Sequence, residues 1–212
     1  MSQNTLATPE LALIEVQGLT RQSFMMRGAL AAGAVYGLGA VAPFVREAVA
    51  QEGGGDVDIL NFALTLEYLE AAYYTQGLKR VGGLSGEAKA LATEIRDNEN
   101  EHVDALKGTI KQLGGTPVAA PGVDFGMAFK SQKSFLELAQ TFEDTGVSAY
   151  NGAAPAIKSK EVLGAAGSIV QVEARHAAAV RALNGQQPAA GSFDEALEQQ
   201  AVLDAVMPFV KS

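Results

Sequence analysis

The chain contains only two histidines, and each follows a glutamate by three positions: Glu99 and His102 in NENEHVDALK, Glu173 and His176 in QVEARHAAAV. On a helix, residues three apart lie about 60° apart in projection and about 4.5 Å apart along the axis, so a carboxylate and an imidazole in that frame can face one ion. One such pair is ordinarily a solvated surface contact. Two pairs in the same frame suggest a site written twice.

The elements that carry these residues are helical. From Asp56 onward, apolar residues recur at intervals of three and four, which predicts helices over 57–80, 86–113, 131–158 and 161–183. In the first, Glu67 shares a face with Leu60, Leu64, Ala71, Tyr74 and Leu78. In the third, Glu143 shares one with Leu136, Ala139, Val147, Tyr150 and Ala154. A tyrosine follows each of these glutamates by seven, and the step from core-facing glutamate to Glu-x-x-His is 32 positions in one half and 30 in the other. The two halves therefore read as one pattern repeated.

An unpaired carboxylate facing a core costs several kcal/mol or takes up a proton, and several crowded together repel one another unless a cation lies between them. Glu67, Glu99, Glu143 and Glu173 with His102 and His176 match a pair of divalent ions, and oxygen and nitrogen donors suit iron or manganese. The chain has no cysteine, so thiolate ligands are excluded. Glu70 lies near the same face as Glu67, but its counterpart in the repeat is Gly146, so it stands outside the set as a spare carboxylate. Tyr74 and Tyr150 are expected to pack beside the glutamates. Asp97, Glu101 and Asp104 are expected on a solvated face.

The joint VGGLS between the first two helices is short, which makes them antiparallel neighbours, and the third and fourth are joined as closely. Between the hairpins lies GGTPVAAPGVDFGMAFK, long enough to run the length of a bundle. A last helix is expected from Ser192, with Glu195 completing a capping box. Its Phe193, Leu197, Leu203, Val206 and Phe209 either cover the end of the bundle or make a homo-oligomer contact. Two antiparallel hairpins joined by a long crossover, plus a C-terminal helix, form an all-α four-helix bundle of the ferritin-like kind.

LNFALTLEYLEAAYY, the two Glu-x-x-His motifs and FEDTGVSAY resemble the ferritin-like superfamily, in particular exported bacterial ferritin-like domain proteins of the desiccation-related type. That resemblance implies metal ligands at Glu67, Glu99, His102, Glu143, Glu173 and His176, with Glu99 and Glu173 bridging two Fe or two Mn ions. It also implies redox work on dioxygen or peroxide, shared among iron oxidation, peroxide reduction and peroxide disproportionation. A rubredoxin module is excluded by the missing cysteines. The competing expectation is a non-enzymatic stress or structural protein on the same fold.

The first 50 residues read differently. Thr20-Arg21-Gln22-Ser23-Phe24-Met25 resembles a twin-arginine motif with Gln22 in place of the second arginine, a Gly/Ala-rich apolar run follows, and Ala48-Val49-Ala50 is a small-x-small cleavage pattern. Residues 1–50 are thus expected to be an export signal, 51–56 a flexible Gly-rich joint and 57–212 the folded domain, placing the protein in the periplasm or outside the cell. An uncleaved segment would instead anchor it, since residues 28–45 supply about 18 apolar or small positions. The net charge of -8 and the lack of any basic run exclude nucleic acid as a partner.

Overall fold

A serine fixes where three of the long helices begin. The side chains of Ser85, Ser131 and Ser159 each accept a hydrogen bond from the backbone N–H three residues on, at 3.1, 3.1 and 3.2 Å, satisfying donors that the first helical turn leaves open. The computed structural model describes residues 55–211. The stretch expected to be an export signal, 1–50, and most of the expected joint at 51–56 lie outside the described residues.

The elements are α1 (Asp56–Arg80), α2 (Gly86–Gln112), α3 (Gln132–Ala153), α4 (Lys160–Leu183) and the short α5 (Gln199–Val206). Among the described residues there is no strand, and no helix is long and apolar enough to cross a membrane. α1 begins without a side-chain cap, but it carries Asp56 and Asp58 in its first turn and Lys79 and Arg80 in its last, the order the helix dipole favours. The Asp56 carboxylate also accepts from the backbone N–H groups of Lys158 and Ser159, both at 2.7 Å, and so ties the start of α1 to the start of α4.

α1 packs along α2 and α3 along α4, giving two hairpins that meet through α1 against α3 and α2 against α4. The crossover between them follows α1. It is held near one end by Asn61, whose side chain donates to Thr116 O at 3.1 Å and accepts from Val118 N–H at 2.9 Å. Near the other end, Phe125 and Phe129 pack on Tyr73 with ring centroids 5.0 and 5.3 Å away, and the Arg80 guanidinium lies over Phe129. The architecture is the expected all-α bundle with a C-terminal helix.

Two expected boundaries are corrected. α3 was expected to reach Lys158 but stops at Ala153, because Pro155 lies in the tight turn Ala154–Ala156 and cannot donate to a continuing helix. The last helix begins at Gln199, not Ser192, and Ser192 and Glu195 form no capping box. The segment before α5 bonds to α3 instead: Leu197 N–H donates to Ser148 O at 3.0 Å, and Asn151 Nδ2 donates to Glu195 O at 3.4 Å. Beyond it, Val202, Leu203 and Val206 are buried, whereas Phe193 is 92% exposed. Of the two roles considered for this end of the chain, covering the bundle is the one these buried side chains perform.

Apolar packing comes in two clusters. One gathers Leu69, Tyr73, Ile95, Phe135, Phe142 and Val180, and the other gathers Leu60, Leu64, Leu106, Ile110, Tyr150 and Ile169. Along each long helix, the level between the clusters is occupied by glutamate or histidine.

The approach of the 193–198 segment depends on Gly152. A Cβ built there would lie 1.9 Å from the Leu197 carbonyl oxygen. Gly152→Ala is expected to destabilise the fold by about 1–3 kcal/mol through overpacking; urea denaturation followed by circular dichroism measures this.

Candidate metal centre

All six residues picked out by spacing meet at the level between the two apolar clusters. Glu67 comes from α1, Glu99 and His102 from α2, Glu143 from α3, and Glu173 and His176 from α4. The four glutamates have no exposed surface, and the two histidines are 8% and 5% exposed, so the imidazoles are the only parts of the set that approach solvent.

The donors form two groups. His102 Nδ1 lies 3.2 Å from Glu67 Oε2, 3.2 Å from Glu99 Oε2 and 2.9 Å from Glu173 Oε1. His176 Nδ1 lies 3.0 Å from Glu99 Oε1, 3.4 Å from Glu143 Oε2 and 3.8 Å from Glu173 Oε2. Within each group the donor atoms all lie within 4.8 Å of one another, close enough to hold a metal ion. Glu99 and Glu173 belong to both groups, each offering one oxygen to either side.

The contacts of His102 Nδ1 with Glu67 Oε2 and Glu99 Oε2 have hydrogen-bond geometry, but the other short contacts between these histidines and glutamates do not. Glu99 Oε1, Glu143 Oε2, both oxygens of Glu173 and His176 Nδ1 are buried with no hydrogen-bond partner among the described residues. Buried polar atoms are almost always paired, and orphaned ones need an explanation. Five such atoms gathered within the two donor groups fit a cation that each of them would ligate. The donor set is hard oxygen with imidazole nitrogen, which suits iron or manganese.

A sequence profile of the ferritin-like domain matches residues 55–186. The chain belongs to the ferritin-like family. No curated protein matches it in sequence. The matched span contains α1 to α4 and all six donors and ends before α5.

Around the ferritin-like centre, the tyrosines are cross-connected. Tyr74 of α1 donates to Glu143 Oε1 of α3, and Tyr150 of α3 donates to Glu67 Oε1 of α1, each at 2.5 Å. Burial and the carboxylate beside each phenol push its pKa up, so both keep their protons and remain donors. Their spacing favours packing over hydrogen bonds to the glutamates, and the hydrogen bonds are what the structure shows; crossing to the opposite hairpin is a contact that periodicity along one helix does not display.

Spacing also missed Asn98, whose side-chain amide lies 3.0 Å from His176 Nε2. The amide nitrogen Nδ2 is the atom that stands there; for Nδ1 to serve as a ligand Nε2 must carry the proton, which requires the amide turned so that its oxygen accepts. The only signal in the sequence is adjacency to Glu99. The corresponding residue of the second half, Val172, has no polar group for His102. Asp97 and Asp104 lie on the surface, paired with Arg96 and Lys107.

Without a metal, the site is charged through its histidines. Burial opposes their positive charge, but Glu173, Glu67 and Glu99 around His102, and Glu143, Glu173 and Glu99 around His176, push each imidazole up to about 12. Burial also works against charge on Glu99, yet the two histidines outweigh it and hold that carboxyl down at about 2. Burial, with Glu173 and Glu99 nearby, raises Glu143 to about 8, and burial with Glu173 raises Glu67.

Metal ligation requires neutral imidazole. At pH 7 both rings are protonated in the metal-free protein, so binding is expected to expel at least two protons per chain, one from each imidazole. Affinity is then expected to rise steeply with pH. Calorimetric titration with manganese in buffers of different ionisation enthalpy counts the protons; release of fewer than two would contradict this geometry.

Proposed function

We propose that this ferritin-like protein is an exported di-metal carboxylate oxidoreductase that acts on iron(II) with dioxygen, or on peroxide, in stress protection. The observation that carries the reading is the pair of buried donor groups sharing Glu99 and Glu173, with five of their polar atoms unpaired. Glu67 and His102 complete one ion site, and Glu143 and His176 complete the other. Export rests on the twin-arginine-like stretch and small-x-small pattern within residues 1–50.

The residues divide the work. Glu99 and Glu173 present one oxygen to each side, so they would be shared between two bound ions. Tyr74 and Tyr150 fix the far oxygens of Glu143 and Glu67, so that the other oxygen of each faces a histidine. Asn98 orients the His176 ring. The apolar clusters above and below keep water from the glutamates, which strengthens every charge interaction in the layer. A bound pair of iron or manganese ions supplies two neighbouring redox centres able to exchange two electrons with dioxygen or peroxide.

The test is metal content followed by activity. Protein reconstituted with Fe(II) or Mn(II) is expected to hold about two ions per chain and to catalyse oxygen-dependent iron oxidation or peroxide loss, while the double variant Glu99→Ala, Glu173→Ala retains no metal. Less than one ion per two chains after reconstitution would rule out the di-metal reading. Full metal loading with neither activity would leave a non-enzymatic ferritin-like protein.

A further inference from the structure

Glu70 sits one helical turn beyond Glu67 on α1 and is 3% exposed. No hydrogen bond or ion pair links its carboxylate to any described residue, and the charges facing it are those of Glu173, Glu99, Glu143 and Glu67. A buried carboxyl in that position lacks both a cationic partner and a polar one, an arrangement that costs several kcal/mol and persists only with compensation.

The residue opposite explains how it fits. The counterpart of Glu70 in the repeated half is Gly146 on α3, and a Cβ built on Gly146 would lie 3.2 Å from Glu70 Oε1 and 3.6 Å from Glu173 Oε2. The break in the repeat is thus complementary: one half supplies an extra carboxylate, and the other removes a side chain to make room for it. Glu70 belongs to neither donor group, but its Oε1 and the Glu173 oxygen that faces His176 both border the place a Gly146 side chain would take.

We propose that Glu70 is a seventh donor of the metal centre, ligating the ion on the Glu143–His176 side, and that Gly146 is glycine to admit it. The inference rests on the di-metal reading above. It makes the two ion sites unequal, with the extra carboxylate on the side where Asn98 also meets the histidine.

The test uses the full chain and manganese(II) alone, followed by calorimetry and electron paramagnetic resonance, with circular dichroism to verify folding. Wild-type protein is expected to bind two ions. Glu70→Gln is expected to bind the first within about twofold of wild type and the second at least tenfold more weakly, a loss of the size seen when one partner of a metal site is removed. Gly146→Ala, which crowds Glu70 without changing any donor, is expected to shift the second ion in the same direction. A crystal structure of manganese-loaded wild type is expected to place a Glu70 oxygen about 2.0–2.3 Å from the ion beside His176.

Two ions in wild type with unchanged binding by Glu70→Gln, or a loaded structure with Glu70 away from both ions, would overturn this proposal alone. A wild type that binds no manganese would overturn it together with the di-metal reading. If Glu70→Gln does not fold, Gly146→Ala and the loaded wild-type structure decide.

Discussion

Four carboxylates with no exposed surface, placed at one level of a helical bundle, repel one another and have lost the water that would screen them. The rest of the molecule is organised around that constraint. Apolar clusters lie on either side of the layer and hold the four helices at fixed spacing, so the glutamates cannot separate. Two histidines intrude among them, and two phenols each hold one oxygen of the outer glutamates. In the metal-free protein the positive charge among the carboxylates is that of the two imidazoles, which a bound cation would replace.

The layer is built from two similar hairpins but is not symmetric. The core of the pattern, one glutamate and one Glu-x-x-His per hairpin, is duplicated, and so is the tyrosine that crosses to the other side. Three departures fall on the His176 side: Asn98 beside its ring, and Glu70 with the Glu173 oxygen bordering the space that Gly146 leaves. Duplication gives a centre with two equivalent places; these three residues make them inequivalent. Two neighbouring redox ions with different surroundings can differ in potential and in how readily a ligand exchanges, whereas identical surroundings would make them interchangeable.

Much of this is legible in the sequence because the period of a helix converts spacing into direction. Glu67 amid Leu60, Leu64 and Ala71 has to face a core, and Glu99 with His102 has to point one way. Contacts between helices carry no such signal. Nothing along α1 reveals that Tyr74 reaches Glu143, or along α2 that Asn98 reaches His176. Gly146 reads as a weak point of the repeat until the carboxylate across from it is seen. The end of the chain misled for a related reason: Ser192 and Glu195 have the local chemistry of a helix start, but Gly152 lets the extended segment bond to α3, and tertiary hydrogen bonds displaced local capping.

That end of the chain closes a circuit. Val210 pairs with Val123, Asp124 N–H donates to Phe209 O at 2.8 Å and Lys211 N–H donates to Gly122 O at 2.9 Å, so the last described residues are fastened to the crossover that joins the hairpins. The final donor of the centre, His176, precedes Lys211 by 35 residues. In synthesis from the amino terminus, every metal-facing side chain is therefore made before the fastening can form. The strap that joins the chain's end to the crossover is thus a contact the four helices must be able to do without until the chain's last residues are made.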